Sequence, residues 1–303
     1  MMGISVFPDD DQLFCGMIGT HGVKMANAAV NECDVLFLVG ARVGDRAVKT
    51  PLALEKTTKI IHIDIDPAEI GKNIGADLPL VGDAKLVLQQ MTELAKPMKH
   101  DEWIAHIKTL GGERKYVEPA KGTVNPRVFI DRLAKKMPAN VTVVADVGQN
   151  QIWTCTEYKF RKEGRLLTSG GMGTMGYSVP AAIGAKMADN SRATVAICGD
   201  GAFQMSFMEL ATAVQFGVDI KVVVMTNNRL GMVRELQTNG YHDRQTAVFL
   251  DGSPDFIKLA EAYGIPAMRV YDDDTMEKGV EMLAEHKGIC LVEVVVDKDM
   301  PTL

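Results

Sequence analysis

Six short runs constrain what this chain can become: "DVLFLVG" (34–40), "KIIHIDID" (59–66), "VTVVADVG" (141–148), "ATVAICGD" (193–200), "IKVVVMTN" (220–227) and "CLVEVVVD" (290–297). Each is apolar and β-branched on consecutive positions instead of alternate ones. That is the pattern of parallel strands covered on both faces. Helical periodicity fills the intervals, over 22–31, 84–95, 125–136, 177–188, 206–216, 255–263 and 274–286. Strand alternating with helix predicts an α/β fold, parallel sheets flanked by helices.

The interval 95–126 breaks the rhythm. It is polar and charged, and holds Pro and Gly, so a domain boundary is expected there. The expected organisation is a first domain over 1–98, a linker over 99–120 and a second domain over 121–303. The first domain shows two strands, few for a sheet of this class. The chain also opens on loop-like "FPDDD" after one short apolar stretch, so an N-terminally truncated domain is expected.

Composition narrows the function classes. The net charge is −6 with no basic block, which argues against nucleic acid or an anionic membrane as partner. No apolar run approaches the roughly 18 residues of a membrane-spanning helix. The start lacks the basic and apolar regions of a signal peptide. The five cysteines form no CxxC pair, so reduced thiols in a cytoplasm are expected.

Two motifs carry chemistry. Gly171, Gly173 and Gly176 spell GxGxxG ahead of a helix. A dinucleotide site would put a pyrophosphate on that helix N-terminus; a turn needing positive φ is the plain alternative. The second motif is "GDG" (199–201), with Asp200 at the carboxyl end of a predicted strand. The next strand ends in "MTNNRLGM", and one helical crossover fits between, so the two strand tips should be neighbours. A carboxylate, an amide oxygen and a backbone carbonyl make a hard oxygen site that suits Mg²⁺. "NN" alone is more simply a turn; combined with GDG at this distance, it reads as a site.

GDG followed after this interval by NN resembles the motif of thiamine diphosphate enzymes. The resemblance implies that Asp200, Asn227 and the backbone carbonyl of Arg229 hold Mg²⁺, which clamps the diphosphate. "DVGQNQIW" (146–153) resembles the family segment at the diphosphate, here Gly148, Gln149 and Asn150, with Asn150 where many relatives carry His. "GGMGTMG" resembles the stretch containing Gly173 and the Met, here Met175, that wedges under the cofactor. Gly199, Gly201, Ala202, Gly231 and Met232 complete the implied cofactor set.

The resemblance sharpens to the acetolactate synthase family. "GTHGVKMAN" (19–27), "VGARVGDRAV" (39–48), "KIIHIDIDPAEIGKN" (59–73) and "VGDAKLVL" (81–88) look like its central FAD-carrying domain, and "NNRLGMVRELQ" (227–237) like its active-site loop. The implied fold is a thiamine diphosphate-binding domain preceded by part of a Rossmann-like domain. Gly40, Ala41, Arg42, Asp64, Ile65 and Asp83 would contact FAD. Arg46 would meet a substrate carboxylate, a role that suits a planar guanidinium; the plain alternative is a surface ion pair with Asp45. Met232 and Val233 would line the reacting centre. Leu236 stands where many relatives carry Trp. The family's catalytic Glu belongs to an N-terminal pyrimidine-binding domain, for which this chain has no counterpart.

The implied reaction decarboxylates pyruvate and joins the two-carbon unit to pyruvate or 2-oxobutyrate, toward valine, leucine and isoleucine. The resemblance also implies a homodimer or tetramer and a possible small regulatory subunit. This chain alone is expected to be inactive. The alternatives are another thiamine diphosphate decarboxylase or carboligase, and a non-catalytic cofactor-binding fragment.

Overall fold

In the computed structural model, which describes residues 1–112 and 116–303, every named strand pairs in parallel. The chain divides into two units, Cys15–Arg114 and a larger one combining Met1–Phe14 with Lys115–Leu303.

The smaller unit runs α1 (Lys24–Glu32), β1 (Val35–Val39), α2 (Pro51–Leu54), β2 (Lys59–Asp64), β3 (Leu78–Val81), α3 (Ala84–Leu94) and α4 (Asp101–Leu110). Its sheet has the order β1-β2-β3. The short strand β3, with Pro79 inside it, is absent from the expected set because "LPLV" is too brief to show a period. Only one face of this sheet is well covered. Leu38, Leu54, Ile60 and Ile74 form a small core, whereas Val35, Phe37 and Val39 are exposed. The expectation of strands buried on both faces therefore fails at β1.

The larger unit runs α5 (Pro126–Lys136), β4 (Thr142–Ala145), α6 (Gln149–Glu157), β5 (Arg165–Thr168), α7 (Ser178–Ala188), β6 (Thr194–Gly199), α8 (Asp200–Gln204), α9 (Leu210–Gln215), β7 (Lys221–Thr226), α10 (Gly231–Gly240), α11 (Phe256–Ala262), β8 (Ala267–Val270), α12 (Asp273–Glu285) and β9 (Cys290–Val295). Six strands lie in the order β5-β4-β6-β7-β9-β8. Here the two-sided pattern is realised: β4 and β7 are buried throughout. Val143, Val144, Ile197, Val222 and Val224 have no exposed surface. Each such side chain contributes roughly 1.5–3 kcal/mol of hydrophobic stabilisation.

Local chemistry sets where helices begin. Asn125 accepts from the N–H groups of Arg127 and Val128, and Pro126 follows at the first helical position of α5. Asp272 and Thr275 form a reciprocal capping box on α12.

The expected boundaries differ from the observed units in two places. The interval read as a linker contains α4, which packs on α1 and sets His106 Nε2 2.6 Å from a Glu32 carboxylate oxygen. Its polarity belongs to the outer face of a helix. At the start of the chain, Met1–Phe14 packs with the larger unit: Leu166 N donates to Ser5 Oγ (2.9 Å) and Asp9 N to Phe160 O (2.9 Å). Among the described residues no helix is long and apolar enough to cross a membrane.

The chain leaves β4 toward β5 at one side and reaches β6 on the other side of β4. Carboxyl ends of strands at such a reversal diverge into a crevice, where open α/β sheets bind ligands.

Candidate functional site

The crevice holds a pocket at these strand ends. Its walls come from the segments after β4, β6 and β7. The register aligns Gly199 of β6 with Met225 of β7, so Asp200 and Asn227 leave adjacent strands at nearly the same height. Sequence spacing anticipated this neighbourhood.

Asp200 is buried, and its carboxylate is held by three backbone donors. Gly201 N lies 2.8 Å from Oδ1, and Asn227 N and Asn228 N lie 3.1 and 2.6 Å from Oδ2. Burial nonetheless dominates and pushes its pKa up to about 6. Asn228 takes the left-handed turn, with φ +54°, which turns the chain out of β7 toward α10. Asn227 Oδ1 accepts from Arg229 N (3.1 Å), and its Nδ2 donates to Gln149 Oε1 (3.3 Å). Each of these two oxygen-bearing groups keeps a lone pair beyond the bonds it accepts. They make a fit for a small hard cation that takes its remaining ligands from phosphate and water. Among the described residues no group of three His, Cys, Asp or Glu assembles to hold a metal on its own.

Helix N-termini meet the same space. Gly148, with φ +140°, turns the chain from β4 into α6, and no side chain caps that helix. Gly231 opens α10, also without a side-chain cap. Free amide N–H groups and the helix dipoles favour an anion there.

The predicted cofactor residues Gly148, Gln149, Asn150, Met175, Gly199, Asp200, Gly201, Ala202, Asn227, Gly231 and Met232 all line this pocket, as do Val233 and Arg229. Gly173 does not; it lies exposed in the loop before α7 with φ +68°. Leu236 is exposed on α10.

Several side chains do something other than face the cavity. Asn150 Nδ2 donates to the carbonyls of Asp146 (2.8 Å) and Ile197 (3.2 Å), pinning the ends of β4 and β6 together. The Gln149 amide is taken up by protein partners. A Cβ on Gly201 would meet Leu230 Cδ2 at 2.7 Å and Leu250 Cδ1 at 3.2 Å, so this glycine admits neighbouring leucines. A Cβ on Gly231 would overlap the Gln149 side-chain oxygen.

Asp146 is the main residue that sequence reasoning missed. It is fully buried; Gly176 N donates to its Oδ1 (3.0 Å) and Ser178 N to its Oδ2 (2.7 Å). A protein carboxylate thus occupies the start of α7, which removes the pyrophosphate place that the GxGxxG spelling suggested. The signal is an acid ending the β4 run in "VADVG". Trp153, Met225 and Val296 also line the pocket unforeseen, because apolar residues in a buried strand or helix look like core.

In the smaller unit, Gly40, Ala41 and Arg42 follow β1, Asp64 and Ile65 stand at the end of β2, and Asp83 follows β3. The parallel register puts them at the carboxyl ends of three neighbouring strands. Arg42, Ile65 and Asp83 are exposed. Asp64 accepts from Asp66 N (3.0 Å) and Asp83 from Leu86 N (3.1 Å). Arg46 is exposed, and among the described residues no ion pair joins it to Asp45.

Two family models match the chain: "Thiamine pyrophosphate enzyme, C-terminal TPP binding domain" over residues 146–294, and "Thiamine pyrophosphate enzyme, central domain" over residues 1–91. A probable acetolactate synthase large subunit of Methanocaldococcus jannaschii is 39% identical over 98% of this chain and 52% of its own length. The acetolactate synthase large subunit of Lactococcus lactis is 36% identical, again over 98% of this chain and 52% of its own. The acetolactate synthase isozyme 3 large subunit of Escherichia coli is 35% identical over 98% and 54%. The chain spans about half the length of these relatives.

Proposed function

The chain belongs to the thiamine pyrophosphate enzyme family, and we propose that it is the cofactor-holding part of an acetolactate synthase catalytic subunit. The observation that carries this reading is the convergence of Asp200, Asn227 and the α6 N-terminus on one pocket. In this reading the Asp200 carboxylate, Asn227 Oδ1 and the Arg229 carbonyl hold Mg²⁺. The N–H groups opening α6 receive the diphosphate. Met175, which lines the pocket, would support the cofactor, and Met232 and Val233 would line the reacting centre. Thiamine diphosphate, when bound, supplies the electron sink that lets a 2-keto acid lose carbon dioxide. The net reaction converts two pyruvates into acetolactate and carbon dioxide; 2-oxobutyrate as acceptor gives acetohydroxybutyrate.

The smaller unit has a role in the same reading. Gly40, Ala41, Arg42, Asp64, Ile65 and Asp83 would carry FAD, and Arg46, exposed and unpaired with Asp45, would orient the substrate carboxylate. The relatives' names support the reaction, and a place in branched-chain amino acid synthesis goes with the same reading. A homodimer or tetramer, a regulatory subunit and a cytoplasmic location go with the same reading. So does a catalytic Glu supplied from the half of the relatives that this chain does not match. Exposed methionines beside the pocket loops, Met172, Met205 and Met208, are suited to pack against that half.

Calorimetric titration of the chain with thiamine diphosphate, with and without Mg²⁺, tests the site: tight binding is expected only with the metal. Metal-independent or absent binding overturns it. Pyruvate turnover tests the reaction. This chain alone should give no product, and adding the unmatched half of a relative should give acetolactate; acetaldehyde would mean a decarboxylase.

A further inference from the structure

An asparagine beside a cation is useful in one orientation only. Its side-chain oxygen must face the metal; a flipped amide would present two N–H donors. Asn227 has no covalent reason to prefer either orientation, so its surroundings must choose.

They choose through one local bond, from Arg229 N to Asn227 Oδ1 (3.1 Å), and through a chain of groups with fixed polarity on the Nδ2 side. Asn227 Nδ2 donates to Gln149 Oε1 (3.3 Å), which leaves Gln149 Nε2 pointing the other way. That nitrogen donates to the carbonyl of Met300 (2.9 Å), to Thr302 Oγ1 (3.2 Å) and to a Glu235 carboxylate oxygen (3.4 Å). A carbonyl and a carboxylate accept and cannot donate. Gln149 therefore cannot flip without setting its own oxygen against two acceptors, and Asn227 cannot flip without opposing Gln149. The end of the relay is itself anchored. Thr302 N lies 3.3 Å from both Glu235 oxygens, and the Thr302 hydroxyl bonds Glu235. Trp153, which lines the pocket, donates its indole N–H to Pro301 O (3.1 Å). Gln149, Met300 and Thr302 are all buried, so water does not compete for these bonds.

We propose that Glu235 and the Met300–Thr302 segment are positioning groups that set, through Gln149, the orientation in which Asn227 presents its oxygen to the cation. This rests on the cofactor reading above. It assigns a function to the Glu235 carboxylate on α10, to which the 227–237 resemblance gave no role, and to three residues beyond β9. Residues that orient a metal ligand typically change metal affinity by about 10- to 100-fold when removed.

The test uses the full chain and its variants Glu235→Leu, Glu235→Gln, Gln149→Met and the double variant Glu235→Leu/Gln149→Met. The Mg²⁺ midpoint for thiamine diphosphate binding is read by calorimetry and by Trp153 emission. Glu235→Leu should raise the midpoint about tenfold, and Glu235→Gln, which keeps an acceptor oxygen, should stay near the parent. The double variant should be no worse than Gln149→Met, since both act along one relay. Additive effects, or an unmoved midpoint in Glu235→Leu, would overturn the proposal. A second readout needs no cofactor: the Asn227 side-chain NH₂ signals in the free chain, by NMR. They should be protected from exchange with water in the parent and in Glu235→Gln, and lose protection in Glu235→Leu. Fast exchange in the parent refutes the relay. If the parent shows no Mg²⁺-dependent binding, the cofactor reading fails and the Asn227 signals still judge the relay. Should Glu235→Leu not fold, Thr302→Val interrupts the same anchor and should raise the midpoint in the same direction.

Discussion

The dipeptide Gly-Asp ends a parallel strand and opens a helix twice in this molecule, at Gly82–Asp83 after β3 and at Gly199–Asp200 after β6. Asp83 is exposed and does an ordinary capping job, accepting from Leu86 N. Asp200 is buried, accepts one N–H from its own helix and two from the neighbouring strand tip, and has its pKa raised to about 6 by that burial. The local sequence is the same; the neighbours differ. Among the described residues β3 is an edge strand. β6 lies inside a six-stranded sheet, where β7 delivers Asn227 and Asn228 to the same height. Buried polar groups at a strand end become a site when a second strand surrounds them, and remain a helix cap when none does.

Exchanging the two aspartates for alanine should split them most widely. Asp200→Ala is expected to abolish Mg²⁺-dependent thiamine diphosphate binding while the chain stays folded; calorimetry on that variant checks it, and an unchanged affinity would sink the metal assignment. Asp83→Ala should leave that titration untouched.

Asp146 extends the contrast to a third strand-end acid. Asp146→Ala strips the acceptor from Gly176 N, in the loop that carries Met175 toward the pocket, and from Ser178 N, which opens α7. The cost should be about 3 kcal/mol in urea unfolding, since each N–H loses a charged partner in a buried place.

The raised pKa of Asp200 gives a pH signature. An acid whose pKa is higher folded than unfolded favours the folded state at low pH. That contribution is complete below the ordinary carboxylate value near 4 and is lost as pH rises through about 6. The cofactor-free chain should therefore lose roughly 2 kcal/mol relative to Asp200→Asn between pH 4 and 7. Equal pH profiles for the two proteins would mean that Asp200 ionises freely. Ionised and buried, it is stabilised by a bound cation, so Mg²⁺ with the cofactor should flatten the difference.

The smallest effect belongs to Asp83→Ala itself: about 1 kcal/mol of stability from the lost cap of α3, read by thermal unfolding.

Much of this architecture is legible in the amino-acid order. The strands β1, β2, β4, β6, β7 and β9 are apolar on consecutive residues, and such runs have few other places to go than a covered parallel sheet. The Asp200–Asn227 juxtaposition follows from one crossover between them. The short strands β3, β5 and β8 are not legible, because each is four residues long and includes Pro79, Arg165 or Arg269, so no continuous apolar run marks it. The charged face of α4 hides it, and β1 reads as covered where the structure exposes Val35, Phe37 and Val39.

What the sequence by itself determined is the set of chemical groups at the strand tips and the order in which they arrive. Backbone periodicity and turn residues act over a few positions, so they place Asp200, Asn227 and Gly148 without knowing their neighbours. Only the tertiary structure decided which of those groups stay buried and which partners fix their orientation. Asp146 on the α7 N-terminus, Asn150 across two carbonyls, and Gln149 between Asn227 and Met300 join residues up to 151 positions apart. Hydrogen-bond polarity depends on which acceptor stands opposite, and packing brings that acceptor from elsewhere in the chain.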